Sequence, residues 1–292
     1  MSVKCSDGDR VSEVSDCNAS LVFTGVFREA EHSPDRVEDD ELILRAVADR
    51  LAAFPNVDVR LVFPADLDDD VRKRVPAAVF SMAEEEPVLC LLEELEQQGK
   101  AIVNSTFAVR NTFRMRMTSI LSGAPFFPET VLFSTDAPLP EISYDAWCKR
   151  GDFHAIEKDD VVMVSDNSSL SEVIKRFRER GIKDVALQRH VPGDLIKFYG
   201  VGRGSGESVW FHWFYHKDQQ LCGYDFDKEA LKSYCEDAAG MLGLEVYGGD
   251  AIVTGKGEIF IIDVNAWPSF ALFRKTAAGY IAEYLYKRAG YG

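Results

Sequence analysis

Basic residues are in short supply: 33 Lys and Arg stand against 48 Asp and Glu, a formal charge of −15 over 292 residues at neutral pH. Affinity for nucleic-acid phosphates and for anionic membrane surfaces depends on clustered cations, so this balance argues against both as partners. A small anionic substrate held in a local basic pocket stays compatible with it. No apolar run reaches the roughly 18 residues needed to span a bilayer. The opening MSVKCSDGDRVSEVSDCNAS also lacks the apolar centre of a signal peptide. The six cysteines contain no C-x-x-C pair, which leaves no redox or zinc framework and suits buried thiols in a reducing compartment. Internal repeats and low-complexity tracts are absent too. The expectation is a cytoplasmic protein with no membrane and no nucleic-acid partner; the sequence says nothing about oligomeric state.

What is present is the make-up of an ordinary globular chain, 46% hydrophobic and 28% charged. After a polar tail over residues 1–18, SLVFTGVF reads as a buried strand, DDELILRAVADRLAAF as a helix with acids at its favourable N-terminal end, and VDVRLVF as a second strand. AAVFSM, the helix VLCLLEELEQQ and the strand AIVN continue this rhythm, giving an α/β lobe over 19–105. Helical spacing from Asn111 to Ser122 then opens a central lobe, 106–192. Its strands TVLF, YDAWCKR, VVMV and DVALQRHV and its helix LSEVIKRFRERG suit a small antiparallel sheet covered by a helix. The remaining residues, 193–292, carry the strands DLIKFYGVG and SVWFHWFYH, the helix KEALKSYCEDAAGMLG, a hairpin and a last helix. GRGSGE lacks the Walker pattern and precedes a strand, so it reads as a hairpin tip and not as a phosphate loop.

The hairpin GGDAIVTGKGEIFIIDVNAWP carries the clearest chemistry. A turn centred between Lys256 and Gly257 sets Asp250 directly across from Asp263, and Asn265, two residues further along, shares the face of Asp263. Facing carboxylates repel one another. A divalent cation removes that cost, and oxygen-only ligands suit Mg2+ or Mn2+ with room left for nucleotide phosphates.

These residues resemble the last metal-binding motif of the ATP-grasp superfamily. The D…D-x-N form is closest to its inositol polyphosphate kinases of the inositol trisphosphate 5/6-kinase type; most carboxylate–amine ligases of the superfamily carry Glu where this chain has Asp263. QRHVPGDLIKFYGVG is similar to the family segment that runs from the adenine-binding hinge to a phosphate lysine, and Trp147-Cys148-Lys149 to the strand bearing the α/β-phosphate lysine. The resemblance covers roughly residues 105–275. It implies an α/β ATP-grasp fold preceded by an N-terminal pre-ATP-grasp lobe on the substrate side. It further implies ATP held by Lys149, Lys197 and the stretch Gln188, Arg189, His190 and Val191, with Mg2+ or Mn2+ on Asp250, Asp263 and Asn265. His154 and Arg274, close to matched motifs, are candidate catalytic residues. The expected reaction is phosphoryl transfer to a hydroxyl of a small anionic polyol such as an inositol phosphate. The alternative is a carboxylate–amine ligase working through an acyl phosphate.

Further anion-holding candidates are Arg28, Arg189 and Arg203, together with Arg110, Arg114 and Arg116, of which Arg110 and Arg114 share a helical face. His212 and His216 have the spacing of a helical zinc pair, but their run alternates as a strand and points to a cleft wall or core packing instead.

Overall fold

The apolar run Leu21–Val26 forms strand β1, buried along nearly its whole length as the centre of a parallel sheet requires. In the computed structural model, which describes residues 20–32, 36–202 and 208–290, β1 opens the first of three four-stranded sheets. Helix α1 (Val37–Leu51) follows, with Glu38, Asp39 and Asp40 in its first turn, where the helix dipole favours negative charge. The chain continues through β2 (Val57–Val62), α2 (Leu67–Lys73), β3 (Ala78–Ser81), α3 (Glu86–Gln97) and β4 (Ala101–Val103). The strands are parallel in the order β2-β1-β3-β4, so the connections diverge between β1 and β3. In open α/β sheets, ligands collect outside the carboxyl ends of strands at such a switch point. The polar N-terminal tail, Arg203 and most of the GRGSGE tip lie outside the described residues.

The single helix expected from Asn111 to Ser122 is instead two short ones, α4 (Thr106–Asn111) and α5 (Arg114–Leu121). Ser105 caps α4 by accepting from the Ala108 amide, and the Thr112 hydroxyl donates to the Val109 carbonyl at 2.7 Å, closing the turn. Phe113 is extended, with φ −63° and ψ 131°. The break places Arg114 at the head of α5, only 3% exposed.

Strands β5 (Thr130–Ser134), β6 (Ala146–Arg150), β7 (Val161–Val164) and β8 (Asp184–Arg189) form an antiparallel sheet in the order β5-β8-β6-β7. Helix α6 (Asn167–Glu179) covers it with Leu170, Val173, Ile174 and Phe177, the apolar stripe that its period predicts.

The last sheet runs β10-β9-β11-β12 and is antiparallel throughout, built from β9 (Asp194–Val201), β10 (Trp210–Tyr215), β11 (Val246–Val253) and β12 (Ile259–Ala266). Helices α7 (Lys228–Leu242) and α8 (Arg274–Arg288) complete it. Asp227 caps α7, and Gly243 ends it at φ +79°, a left-handed turn that glycine adopts without strain. The β11–β12 ladder carries a bulge: Asp250 pairs with Asp263 but Ala251 pairs with Ile261, leaving Ile262 as the extra residue. Ile259 and Ile261 are buried before it, and Val264 and Ala266 after it. One added residue thus keeps both halves of the strand facing the core.

The first and last sheets are joined by a polar clasp. The Asn104 side chain accepts from the Glu245 and Val246 amides at 2.7 and 2.8 Å and donates to the Val246 carbonyl at 2.7 Å. The buried Trp267 indole donates to the Val103 carbonyl at 2.9 Å. Among the described residues no helix is long and apolar enough to cross a membrane.

Candidate active site

Sheet register assembles the central row. Lys197 on β9 pairs with Asp250 on β11, which pairs with Asp263 on β12. Residues paired on adjacent strands sit about 5 Å apart with side chains on one face, so a cation and two carboxylates are placed side by side by backbone geometry alone. The Lys197 ammonium donates to Asp250 Oδ1 at 2.7 Å. Asn265, two residues beyond Asp263, donates to its Oδ2 at 3.5 Å. The expected pairing of Asp250 with Asp263 and the shared face of Asn265 are both present.

Two further cations close on the row from the central lobe. Lys149 on β6 is 7% exposed; its ammonium donates to Gln188 Oε1 at 2.7 Å and to the Ile262 carbonyl at 3.3 Å. That carbonyl belongs to the bulge residue, so the irregularity in β12 gives the lysine its acceptor. Arg114 brings Nη1 to 3.8 Å from Asp263 Oδ1, while its buried Nε has no hydrogen-bond partner. Burial alone would raise the Asp263 carboxyl, but Arg114, Lys149 and His154 outweigh it and hold the group below its ordinary range. Around the two carboxylates stand Lys197, Arg114 and Lys149, a locally basic spot in an acidic protein.

Burial also pushes the Lys149 ammonium down to about 7; Arg114 adds to the effect, and Asp263 and Asp250 oppose it. An unfolded lysine titrates near ~10.4, so between those values the unfolded chain binds the extra proton and the contribution of this group to stability rises with pH. The melting temperature of the wild type should gain on that of Lys149→Met as pH is raised from about 7 to ~10, and the two should run parallel below that window. A difference that does not change with pH would contradict the burial of this charge.

The hinge residues lie where β8 passes into β9. Gln188 is buried against Lys149, and Arg189 packs over Tyr144, 3.9 Å from Glu129. His190 Nδ1 accepts from the Trp147 indole at 3.1 Å, and Val191 is half-buried in the connection.

Several expected anion holders are engaged elsewhere. Arg110 does not share a site with Arg114 as the helical spacing predicted, because the break at Phe113 separates them, and Arg110 pairs with Glu86 and Glu93 on α3 at 2.8 and 2.9 Å. Arg274 lies 2.6 Å from Asp39 and ties α8 to α1. Arg28 pairs with Asp40 at 3.0 Å and with Glu84, and donates to the Trp267 carbonyl at 2.7 Å. His212 packs against Phe273 at 3.9 Å between ring centres, and His216 Nδ1 accepts from the Asp218 amide.

His154, on the loop after β6, reaches the first lobe, where its Nε2 lies 3.1 Å from the His32 carbonyl and its Nδ1 3.5 Å from Glu84 Oε2. Glu84 and Glu29 were not among the sequence candidates. Their signal was position: both follow the carboxyl ends of β1 and β3, at the switch point.

Among the described residues no group of three His, Cys, Asp or Glu side chains forms a metal cage. Two facing carboxylates and an amide oxygen suit an ion of the Mg2+ type, which keeps waters and substrate phosphates as its other ligands. The donor set therefore fits the metal that the motif implies.

Neither a protein-family model nor a curated protein matches the sequence. Solved structures do match the fold. The D-alanine–D-alanine ligase from Bacillus anthracis complexed with ATP aligns over 92% of this chain and 97% of its own, with TM-score 0.66 and 10% identity. A RimK domain ATP-grasp protein from Sphaerobacter thermophilus aligns over 90% and 99%, with TM-score 0.62 and 18% identity. The ATP-grasp ligase PsnB complexed with minimal precursor aligns over 93% and 99%, with TM-score 0.63 and 16% identity. With these likenesses spanning the three lobes, the chain has the ATP-grasp fold.

Proposed function

We propose that the protein is an Mg-ATP-dependent ligase that activates a carboxylate as an acyl phosphate and joins it to an amine. The observation that carries the nucleotide half is the row Lys197, Asp250 and Asp263 with Lys149 and Arg114 closing on it. ATP polyphosphate needs positive charge on more than one side, and lysines fixed on strands supply it as aimed point charges. Asp250, Asp263 and Asn265 would hold the Mg2+, which when bound neutralises phosphate charge and acts as a Lewis acid. Lys149 and Lys197 orient the phosphates, and Gln188 fixes the Lys149 ammonium. A substrate carboxylate held in line attacks the γ-phosphorus as the bond to ADP breaks. The amine then attacks the acyl carbon and phosphate leaves, so that acid, amine and ATP give amide, ADP and phosphate. The chain's part is positioning and electrostatic stabilisation, with no protein nucleophile.

Two observations favour the ligase over the polyol kinase suggested by the Asp-x-Asn form. The similar structures named above include ligases, and none carries a kinase name. The basic residues that an inositol phosphate would need are already neutralised: Arg28, Arg110 and Arg274 each pair with carboxylates, while Glu29, Glu84 and Glu85 line the substrate side of the first lobe. A polyanion entering there would meet net negative charge.

Turnover of Mg-ATP with pooled acceptors tests the choice, following ADP and free phosphate separately. Equal release of both, dependent on an acid and an amine together, is the expected result. ADP without matching phosphate, and only with a pool of inositol phosphates, would establish the kinase instead.

A further inference from the structure

Above the first sheet lies a cavity of about 540 Å³, within the range of about 300–1,000 Å³ that suits a small organic ligand. Its walls come from four places: Phe27 and Arg28 at the end of β1, Val37 at the head of α1, Phe63 after β2, and Pro87 and Val88 in the first turn of α3. These are the carboxyl ends of the strands at the switch point between β1 and β3, where open α/β sheets collect ligands. The floor is apolar, with the Phe27 and Phe63 ring centres 4.9 Å apart. Phe63 is 52% exposed, so much of its ring is left over from core packing and faces whatever enters.

Charge decides what that is. Helices α1 and α3 both begin at the cavity, and helix N-termini draw anions with about half a positive charge each. Here acids at the same helix ends cancel that pull: Asp40 and Glu41 near the start of α1, and Glu85 ahead of α3. With Glu29 and Glu31 the described lining carries five carboxylates against one guanidinium, that of Arg28. Arg28 is itself taken up by Asp40 at 3.0 Å and by Glu84. An anion is repelled. The Arg45 guanidinium, 3.2 Å from Glu41, lies 5.0 Å over the centre of the Phe27 ring, so an aromatic face at this place already holds one cation.

The opposite charge gathers at the metal carboxylates, where Lys197, Lys149 and Arg114 would draw an anionic group. Arg28 links the two places: it lines the cavity, and its Nη2 donates at 2.7 Å to the carbonyl of Trp267, two residues past Asn265. The two organic substrates of a ligase would thus be sorted by charge on either side of Arg28.

We infer that this cavity receives the amine partner, an organic cation with an apolar body, while the carboxylate to be activated goes to the lysines. The role as amine site rests on the ligase reading; the preference for an apolar cation rests on the cavity alone.

Three probes share a phenyl ring and differ in head charge: 2-phenylethylamine, 2-phenylethanol and 3-phenylpropionate. Titrated calorimetrically without nucleotide, the amine should bind at least about tenfold tighter than the alcohol, and the carboxylate should not displace it. Methylamine, which has the charge without the body, should also bind at least about tenfold more weakly than phenylethylamine. Phe63→Ala, at an exposed position, should melt with the wild type yet lose about tenfold in affinity for phenylethylamine. Glu31→Gln and Glu85→Gln, made together on the exposed rim, should bring the amine down toward the affinity of the alcohol. A wild type that does not bind phenylethylamine, displacement by 3-phenylpropionate, or variants that bind the amine as the wild type does would overturn the assignment. ADP release with pooled acids, measured in parallel, should show a lower KM for phenylethylamine than for methylamine. If no pair of acid and amine releases ADP, the ligase reading fails, while the order of binding still reads the cavity.

Discussion

Asp263→Asn should lower Mg-ATP turnover by about a thousandfold or more, the scale of losing a preorganised electrostatic element, while the protein stays folded. The reason lies in the charge count. In the wild type Asp250 and Asp263 face Lys197, Lys149 and Arg114. With Asn at 263 Lys197 still pairs with Asp250 while Arg114 loses its carboxylate, so a polyphosphate is still attracted. What is lost is the anionic half of the metal site, and with it the stabilisation of charge on the phosphoryl group in flight. Nucleotide binding without metal should therefore survive, or tighten, in a variant that no longer releases ADP. Circular dichroism, an ATP titration followed by thermal stability, and an ADP-release assay separate these statements. A variant that turns over at the wild-type rate would remove Asp263 from the site.

The second large effect concerns the clasp. Asn104→Ala should destabilise the fold by about 2–6 kcal/mol, because two buried backbone amides lose their partner at ~1–3 kcal/mol each. The Glu245 and Val246 amides are the groups concerned; the Val246 carbonyl keeps the Trp267 amide as its donor, and alanine is too short to supply an acceptor. Since a whole domain is stable by only ~5–15 kcal/mol, this one change should lower the melting temperature by on the order of 10 °C. Asn104→Asp should also destabilise: it keeps acceptors for the two amides but sets a carboxylate oxygen against the Val246 carbonyl, where the wild type has a donor. If Asn104→Ala denatures within a degree or two of the wild type, the junction of the first and last sheets is not held there.

The sequence disclosed those parts of the site that local spacing controls. Asp250 lies opposite Asp263 as the turn spacing suggested, but the turn itself closes one residue tighter, pairing Ala251 with Ile261, and the extra residue Ile262 restores the match; Asn265 on the same face follows from the alternation of a strand. The alternation of WFHWFY likewise put His212 on a strand and not on a helix, with His216 just past its end. Lys197 joins the row only through the pairing of β9 with β11, across 53 residues, and no periodicity reports a pairing of that range; its place came from resemblance. Glu84 is farther from legible still, an ordinary polar residue until two lobes meet, whereas His154 stood out in the sequence only by its closeness to a matched motif. The helix expected from Asn111 to Ser122 failed because the capping of Ser105 and the Thr112 hydroxyl outweighed propensity. That failure carried the misjudged partnership of Arg110 with Arg114. The preference for a phosphorylated polyol rested on Asp in place of Glu and on a reserve of arginines. Acids near in space but remote in sequence, such as Asp39 for Arg274 and Asp40 for Arg28, have taken up that reserve.

The extra residue in β12 has a consequence for anyone who aligns this chain with another. A regular strand repeats its inward face every second residue, whereas here the inward positions pass from odd numbers, Ile259 and Ile261, to even ones, Val264 and Ala266. An alignment against an unbulged hairpin must therefore open a gap of one residue at Ile262. Without that gap every position from Asp263 to Ala266 is matched to the wrong side of the sheet, and Asp263 is compared with a core residue.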